Sequence, residues 1–265
     1  MATVIPVIII IMAIISSITP VKNPRPKTKI LWGQRIIAGF GMVVCSGLLM
    51  LAVPRFVASL YALYPEAAFN QTQKALPPEI YEKSIDDLNQ ALSWYKNPEY
   101  FQYHGLFYMQ LFNVLPLQPQ IKKQTLLNKA QAAIIQGLTL SPIDPYGWFR
   151  LAAVDSLLKL PREQIINALR LSIYAGRVEP ELLITRLAFS YDYYNDFNEE
   201  MQSLWRKQVL VARAFQPAQL TKFVALHPEA LQLVEMAFAN SPDDWKKFSH
   251  DLEIYLQKNI LFKGK

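Results

Sequence analysis

The sequence predicts an all-α protein in two parts: an N-terminal transmembrane helical hairpin, then an α-solenoid of stacked helix pairs. Three observations carry that expectation. Two uncharged apolar runs, 4–19 and 36–53, flank a connector, 20–35, that holds five basic residues and no acidic one. Farther on, Pro142 and Pro180 stand 38 residues apart and Pro180 and Pro217 stand 37 apart, each closing a similar apolar pattern. From residue 78 to the C-terminus, apolar residues recur at helical spacing and no strand pattern is convincing.

Composition divides the chain unevenly. The first 65 of its 265 residues contain no Asp or Glu, and the remaining 200 hold 21 basic and 21 acidic residues. The net charge of +6 therefore belongs to the membrane-flanking segment. A nucleic-acid surface needs basic residues clustered on the folded domain, so no nucleic-acid partner is expected. The single cysteine, Cys45, lies in an apolar run, which rules out a disulfide framework or a cysteine metal site within one chain.

Taken in order, residues 4–19 reach about 24 Å as a helix, against roughly 30 Å for a bilayer core. No basic residue precedes this run and no A-x-A site follows it, which favours a retained span over a cleaved signal peptide. The connector carries Lys22, Arg25, Lys27, Lys29 and Arg35. Positive loops stay cytoplasmic. Residues 36–53 form the second span, with Trp32 on one side and Tyr61 and Tyr64 on the other. Ala38, Gly41, Cys45 and Ala52 share one face of it, where small side chains let helices approach closely in lipid. The expected layout is an anchor over 1–65, a short tether over 66–77 and a helical domain over 78–265. With the loop in the cytoplasm of a bacterium, the anchor sits in the inner membrane and the helical domain in the periplasm.

The helical domain repeats itself. One segment reads Ala130-x₃-Ile134-x₂-Gly137-x₄-Pro142, and a later one ends Ala168-x₃-Ser172-x₂-Ala175-x₄-Pro180. Ala130 and Gly137, like Ala168 and Ala175, lie seven apart on one helical face, where they let helix axes come close. Each proline stops a helix, because the residue before it leaves the α region. Ser141 and Asp144 can cap the next helix, with Pro145 tolerated in its first turn. Between the two segments, Trp148-x₂-Leu151-Ala152-x₂-Asp155 sets a large ring beside a small residue. Upstream, Ser84-x₃-Leu88-x₂-Ala91 and Phe101-x₂-His104-Gly105-x₂-Tyr108 fit the same alternation. Downstream come Ile184-x₂-Leu187-Ala188-x₂-Tyr191 and Trp205-x₃-Val209-x₂-Ala212-x₄-Pro217, with Trp205 at a small-residue position. Pro242 follows Pro217 after only 25 residues, so the repeat degenerates there. A last amphipathic helix, Trp245 to Gln257, can cap the stack.

This pattern resembles the tetratricopeptide (TPR) family, whose unit is a helix pair of about 34 residues. The resemblance covers roughly residues 80–242. In that family the first helix of each pair lines a concave binding face. Matched position by position, the face would include Gln102, Met109, Tyr146, Phe149, Thr185, Phe189, Asp192 and Tyr193 as partner-binding residues, with Glu99, Gln110 and Ser156 beside them. It is mixed polar and aromatic, with no lysine or arginine clamp, and suits a peptide, a partner helix or a glycan. The alternative is that about half of these rings are core between repeats. The run Gly137 to Ala152 is also similar to repeats that accompany bacterial surface-polysaccharide assembly proteins.

No catalytic constellation stands out. His104, His227 and His250 make no ligand pair, and there is no phosphate loop, nucleophile elbow or dinucleotide fingerprint. The expectation is a protein that is not an enzyme, without cofactor or metal. It would be a scaffold holding protein partners in a bacterial envelope assembly, possible roles including surface-polysaccharide biosynthesis or export. Two other readings stand beside it: a small structural subunit of an integral-membrane complex, and an enzyme subunit acting on glycan or peptidoglycan through Asp192 and Asp196.

Overall fold

Prolines open most of the helices, in keeping with their spacing in the sequence. The computed structural model describes residues 32–71, 76–115 and 120–263, and no strand occurs among them. The helices are α1 (Trp32–Phe69), α2 (Pro78–Trp94), α3 (Pro98–Val114), α4 (Gln120–Leu140), α5 (Pro145–Leu157) and α6 (Arg162–Ala175). They continue with α7 (Pro180–Tyr191), α8 (Glu199–Phe215), α9 (Pro217–Leu226), α10 (Leu231–Ala237) and α11 (Pro242–Lys263). Short 3₁₀ turns at Tyr194–Asp196 and Pro228–Ala230 precede α8 and α10.

The chain divides into two units, one ending at Met50 and the other beginning at Leu51. In the first, α1 presents exposed apolar side chains from Ile36 to Met50, and a Cβ added at Gly39, Gly41 or Gly47 would meet nothing within 4 Å. By length and composition α1 can cross a bilayer. The other half of the expected hairpin, run 4–19, lies outside the described residues, as does most of the basic connector.

The second unit is the stack of helix pairs. Adjacent helices pack in sequence: α2 on α3, α3 on α4, α4 on α5, α5 on α6, α7 on α8, with α9 bridging α8 and α11. The small residues that mark the repeat sit at these contacts. Ala91, Ala130, Ala152 and Ala212 are fully buried and Ala168 nearly so, whereas Ala175 is only half-buried. Gly105 lies so close to α4 that an added Cβ would fall 2.5 Å from Ile134 Cγ1. Caps follow the sequence chemistry: Asn97, Asp144 and Asn198 accept from the backbone N–H of Glu99, Tyr146 and Met201 at 2.9–3.0 Å. After α5, Lys159 takes a left-handed φ of 58°, Lys159 N–H donates to Ser156 O and Leu160 N–H to Asp155 O, which together terminate the helix.

From Leu51 on, α1 belongs to this unit. Ala58 and Ala62 are fully buried and Ala68 nearly so, in the same core as Tyr81, Leu88 and Phe107. Lys83 Nζ stands 4.1 Å over the Tyr64 ring, and Phe69 meets Tyr103 at 4.8 Å between centroids. The helix passes through Pro54 and Pro65 without ending and reaches Phe69, within the stretch expected to be a tether.

Two buried polar groups join successive helices. Asp155 on α5 is fully buried and accepts from Gln131 Nε2 on α4 at 2.6 Å and from Gln164 Nε2 on α6 at 3.1 Å. Burial pushes its carboxyl pKa up, against the pull of those two donors. Arg186 on α7, 1% exposed, donates to Ser172 O at 2.6 Å and Gly176 O at 2.7 Å. These are carbonyls at the C-terminal end of α6, where a cation also meets the negative end of the helix dipole. Among the described residues no carboxylate forms an ion pair with Arg186, and burial lowers its pKa to about 10.

Candidate partner-binding face

The first helices of successive pairs, α3, α5 and α7, supply the face implied by the repeat pattern. Its clearest feature is a row of rings. Phe149 on α5 meets Phe189 on α7 edge-on at 5.5 Å between centroids, and Phe189 meets Tyr193 at 5.4 Å. Tyr193 Oη then donates to Ser156 Oγ on α5 at 2.7 Å, closing the row back onto the preceding pair. The residues lie up to 44 positions apart in sequence, from Phe149 to Tyr193. All three rings are half-buried against the core, and the Arg162 guanidinium stands over Tyr193, 5.7 Å from its ring centroid.

Beside the row lies a cleft of about 520 Å³. Glu99, Gln102 and Tyr103 of α3 line one wall, Tyr146 and Arg150 of α5 another, and Glu181 of α7 a third, with Phe69 and the cap residue Asp144 completing it. Tyr103 Oη donates to Glu99 Oε1 at 2.6 Å. Tyr146 Oη donates to Glu179 Oε2 at 3.3 Å and lies 3.5 Å from Glu181 Oε2, so it bridges α5 to α7. Burial raises the pKa of both phenols, and the neighbouring carboxylates add to it. Both phenols therefore stay protonated and keep donating at neutral pH. Arg150 has its pKa lowered by burial, with Asp144 the largest opposing influence.

The expected site residues fall into three groups. Phe149, Phe189 and Tyr193 come together in the row, and Gln102 and Tyr146 in the cleft. Thr185 and Asp192 are exposed on α7 and at its end, and Met109 is half-buried farther along α3. Gln102 is buried, at 3% exposure, where an open contact residue was expected. Its Nε2 reaches Ile134 O at 3.4 Å and occupies the space beside Gly137 and Gly147, so those glycines make room for this amide. Of the lone histidines, His104 is buried in the repeat contact against Tyr108, and its pKa falls to about 4 through burial and the nearby Lys129. On α1, Ala38, Gly41, Cys45 and Ala52 are all exposed.

Residues that the sequence pattern did not single out complete the site. Tyr103, Arg150, Glu179 and Glu181 owe their roles to contacts 33–35 residues away or to the cleft they share. Glu99 and Tyr103, four apart on one helix, are the pair whose spacing could have signalled the contact. In the stretch Tyr191 to Phe197, Tyr194 and Phe197 are buried, and Asp196 pairs with Arg162. Among the described residues no cluster of His, Cys, Asp and Glu has the arrangement of a metal site.

No protein-family model matches the chain, and no curated protein matches it. Among solved structures, a crystal structure of MamA protein is 13% identical with a TM-score of 0.47, covering 76% of this chain and 94% of its own. A second MamA crystal structure is 14% identical with a TM-score of 0.44, covering 68% and 92% respectively.

Proposed function

We propose that this chain is a membrane-anchored, non-enzymatic scaffold whose helical-repeat domain holds a segment of a partner protein against α3, α5 and α7. The observation that carries this reading is the row Phe149–Phe189–Tyr193, three half-exposed rings fixed across two repeats beside an open cleft. Fixed aromatic side chains dominate protein interfaces, since they bury much area with few rotamers to freeze. The exposed apolar length of α1 supports a membrane anchor. With the basic connector held in the cytoplasm, the domain would work on the periplasmic side of a bacterial inner membrane. The narrower assignment, to surface-polysaccharide assembly, rests on the likeness of the Gly137 to Ala152 segment.

The test is capture of partners by the full chain in mild detergent, read by mass spectrometry beside a melting curve. Phe149→Ala and Phe189→Ala should each weaken capture by roughly thirtyfold, the loss of about 2 kcal/mol expected of a hot spot, while the fold persists. Capture that falls only in step with the folded fraction would make the rings core and refute the reading. A stoichiometric integral-membrane complex insensitive to both substitutions would favour a structural subunit held by its anchor.

A further inference from the structure

The cleft beside the aromatic row has an unbalanced chemistry. Glu99, Asp144 and Glu181 face Arg150, leaving the lining with a formal charge of −2. Asp144 is already committed: it caps α5 through Tyr146 N–H and is the main charge opposing the burial of Arg150. Glu99 and Glu181 remain exposed, each within reach of a phenol and neither in an ion pair among the described residues. A second observation is independent of these charges. Gln102, almost wholly buried, lines the same cleft, and its Oε1 has no hydrogen-bond partner. An unmet buried acceptor is costly, and a turn of the Gln102 amide would present it to a donor arriving in the cleft. Arg150 makes no hydrogen bond among the described residues, so it can donate to a main-chain carbonyl.

We infer that the cleft receives a basic peptide segment of the partner protein, with an arginine or lysine side chain held by Glu99 and Glu181. Gln102 Oε1 accepts an N–H from the segment, and Arg150 donates to one of its carbonyls. Tyr103 and Tyr146 stand in the same lining, beside those carboxylates. This rests on the scaffold reading and gives its partner a chemistry. A carboxylate-bearing segment is the competing occupant, since Arg150 could serve it; the negative charges of Glu99 and Glu181 oppose that choice.

Capped nonapeptides alternating leucine with arginine, citrulline or glutamate separate these cases, measured by fluorescence anisotropy against the detergent-solubilised full chain. The arginine peptide should bind, and the citrulline peptide, equal in shape and uncharged, should bind about tenfold more weakly. Glu99→Gln with Glu181→Gln should erase that difference without moving the melting temperature, and Glu235→Gln, on an exposed position of α10, should preserve it. Equal binding of the arginine and citrulline peptides, tighter binding of the glutamate peptide, or no binding of any of them overturns the inference. So does a Glu99→Gln, Glu181→Gln double variant that binds like the parent. If that double variant still captures a partner that Phe149→Ala loses, the cationic site is wrong and the scaffold reading stands.

Discussion

Replacing Gly105 by alanine tests the packing of the repeat at its tightest point. An added Cβ would lie 2.5 Å from Ile134 Cγ1 and 3.1 Å from both Ile134 Cδ1 and Ala130 O. Carbon atoms prefer about 3.5–4.0 Å, so the nearest overlap is roughly 1 Å. Ile134 is fully buried, its Cγ1 branches directly from Cβ, and the oxygen belongs to the backbone of α4, so neither neighbour can swing aside. Overpacking of this kind costs about 1–3 kcal/mol, while alanine in a helix gains about 1 kcal/mol over glycine. The clash wins or breaks even, and the net loss is roughly 0–2 kcal/mol. For a domain of this size each kcal/mol lowers the melting temperature by about 2–4 °C.

Adding Ile134→Ala isolates the clash. Alone it costs about 2–5 kcal/mol. In the double variant the clash disappears, so the two effects should fall short of their sum by about 1–3 kcal/mol. Thermal unfolding of the full chain in mild detergent, followed by circular dichroism, measures all four corners of the cycle. A rise in melting temperature for Gly105→Ala, or strict additivity in the double variant, would refute the close approach of α3 and α4.

Acidification should destabilise the domain through His104. Its folded pKa of about 4 lies below the unfolded value of 6.5, so the unfolded chain takes up the proton and stability falls as pH drops from 6.5 toward 4. The loss is of order 2 kcal/mol at pH 5, and His104→Gln should flatten that part of the stability–pH curve. At Lys159, whose φ is 58°, glycine should be tolerated or stabilising, while valine, a β-branched residue, should lower stability relative to glycine by about 1–2 kcal/mol. Topology is checked by a cysteine in place of exposed Asn70 in a Cys45→Ser background, which should react with an impermeant thiol reagent in intact spheroplasts. Labelling only after lysis would place the domain in the cytoplasm.

The helix pairs were legible because small residues and prolines impose them locally. Ala130, Gly137 and Ala168 are buried where the period put them. Ala175 is half-open, because α6 ends there and the chain turns away at Gly176. Trp205, out of pattern for its position, is nonetheless 1% exposed and meets Tyr194 edge-on at 5.3 Å, a partner no spacing rule identifies. Residues 54–77 read as partly helical before turning polar at Asn70, and α1 does run on through Pro54 and Pro65 to Phe69, although an internal proline usually ends a helix. Arg186 and Gln102 were invisible as interior residues. Their burial depends on carbonyls and glycines brought near by other helices, and a polar letter carries no sign of that.

Asp155 has a consequence for how the molecule opens. Because its two oxygens are held by Gln131 and Gln164, neither α4 nor α6 can detach without leaving a fully buried carboxylate short of a donor. The penalty for unfolding one helix is thereby charged to its neighbours, the nearest-neighbour coupling that makes a stacked array cooperative. Amide protons along α4, α5 and α6 should then exchange with solvent through one shared opening, at a common free energy. The short α10 lies outside that coupling and should exchange earlier.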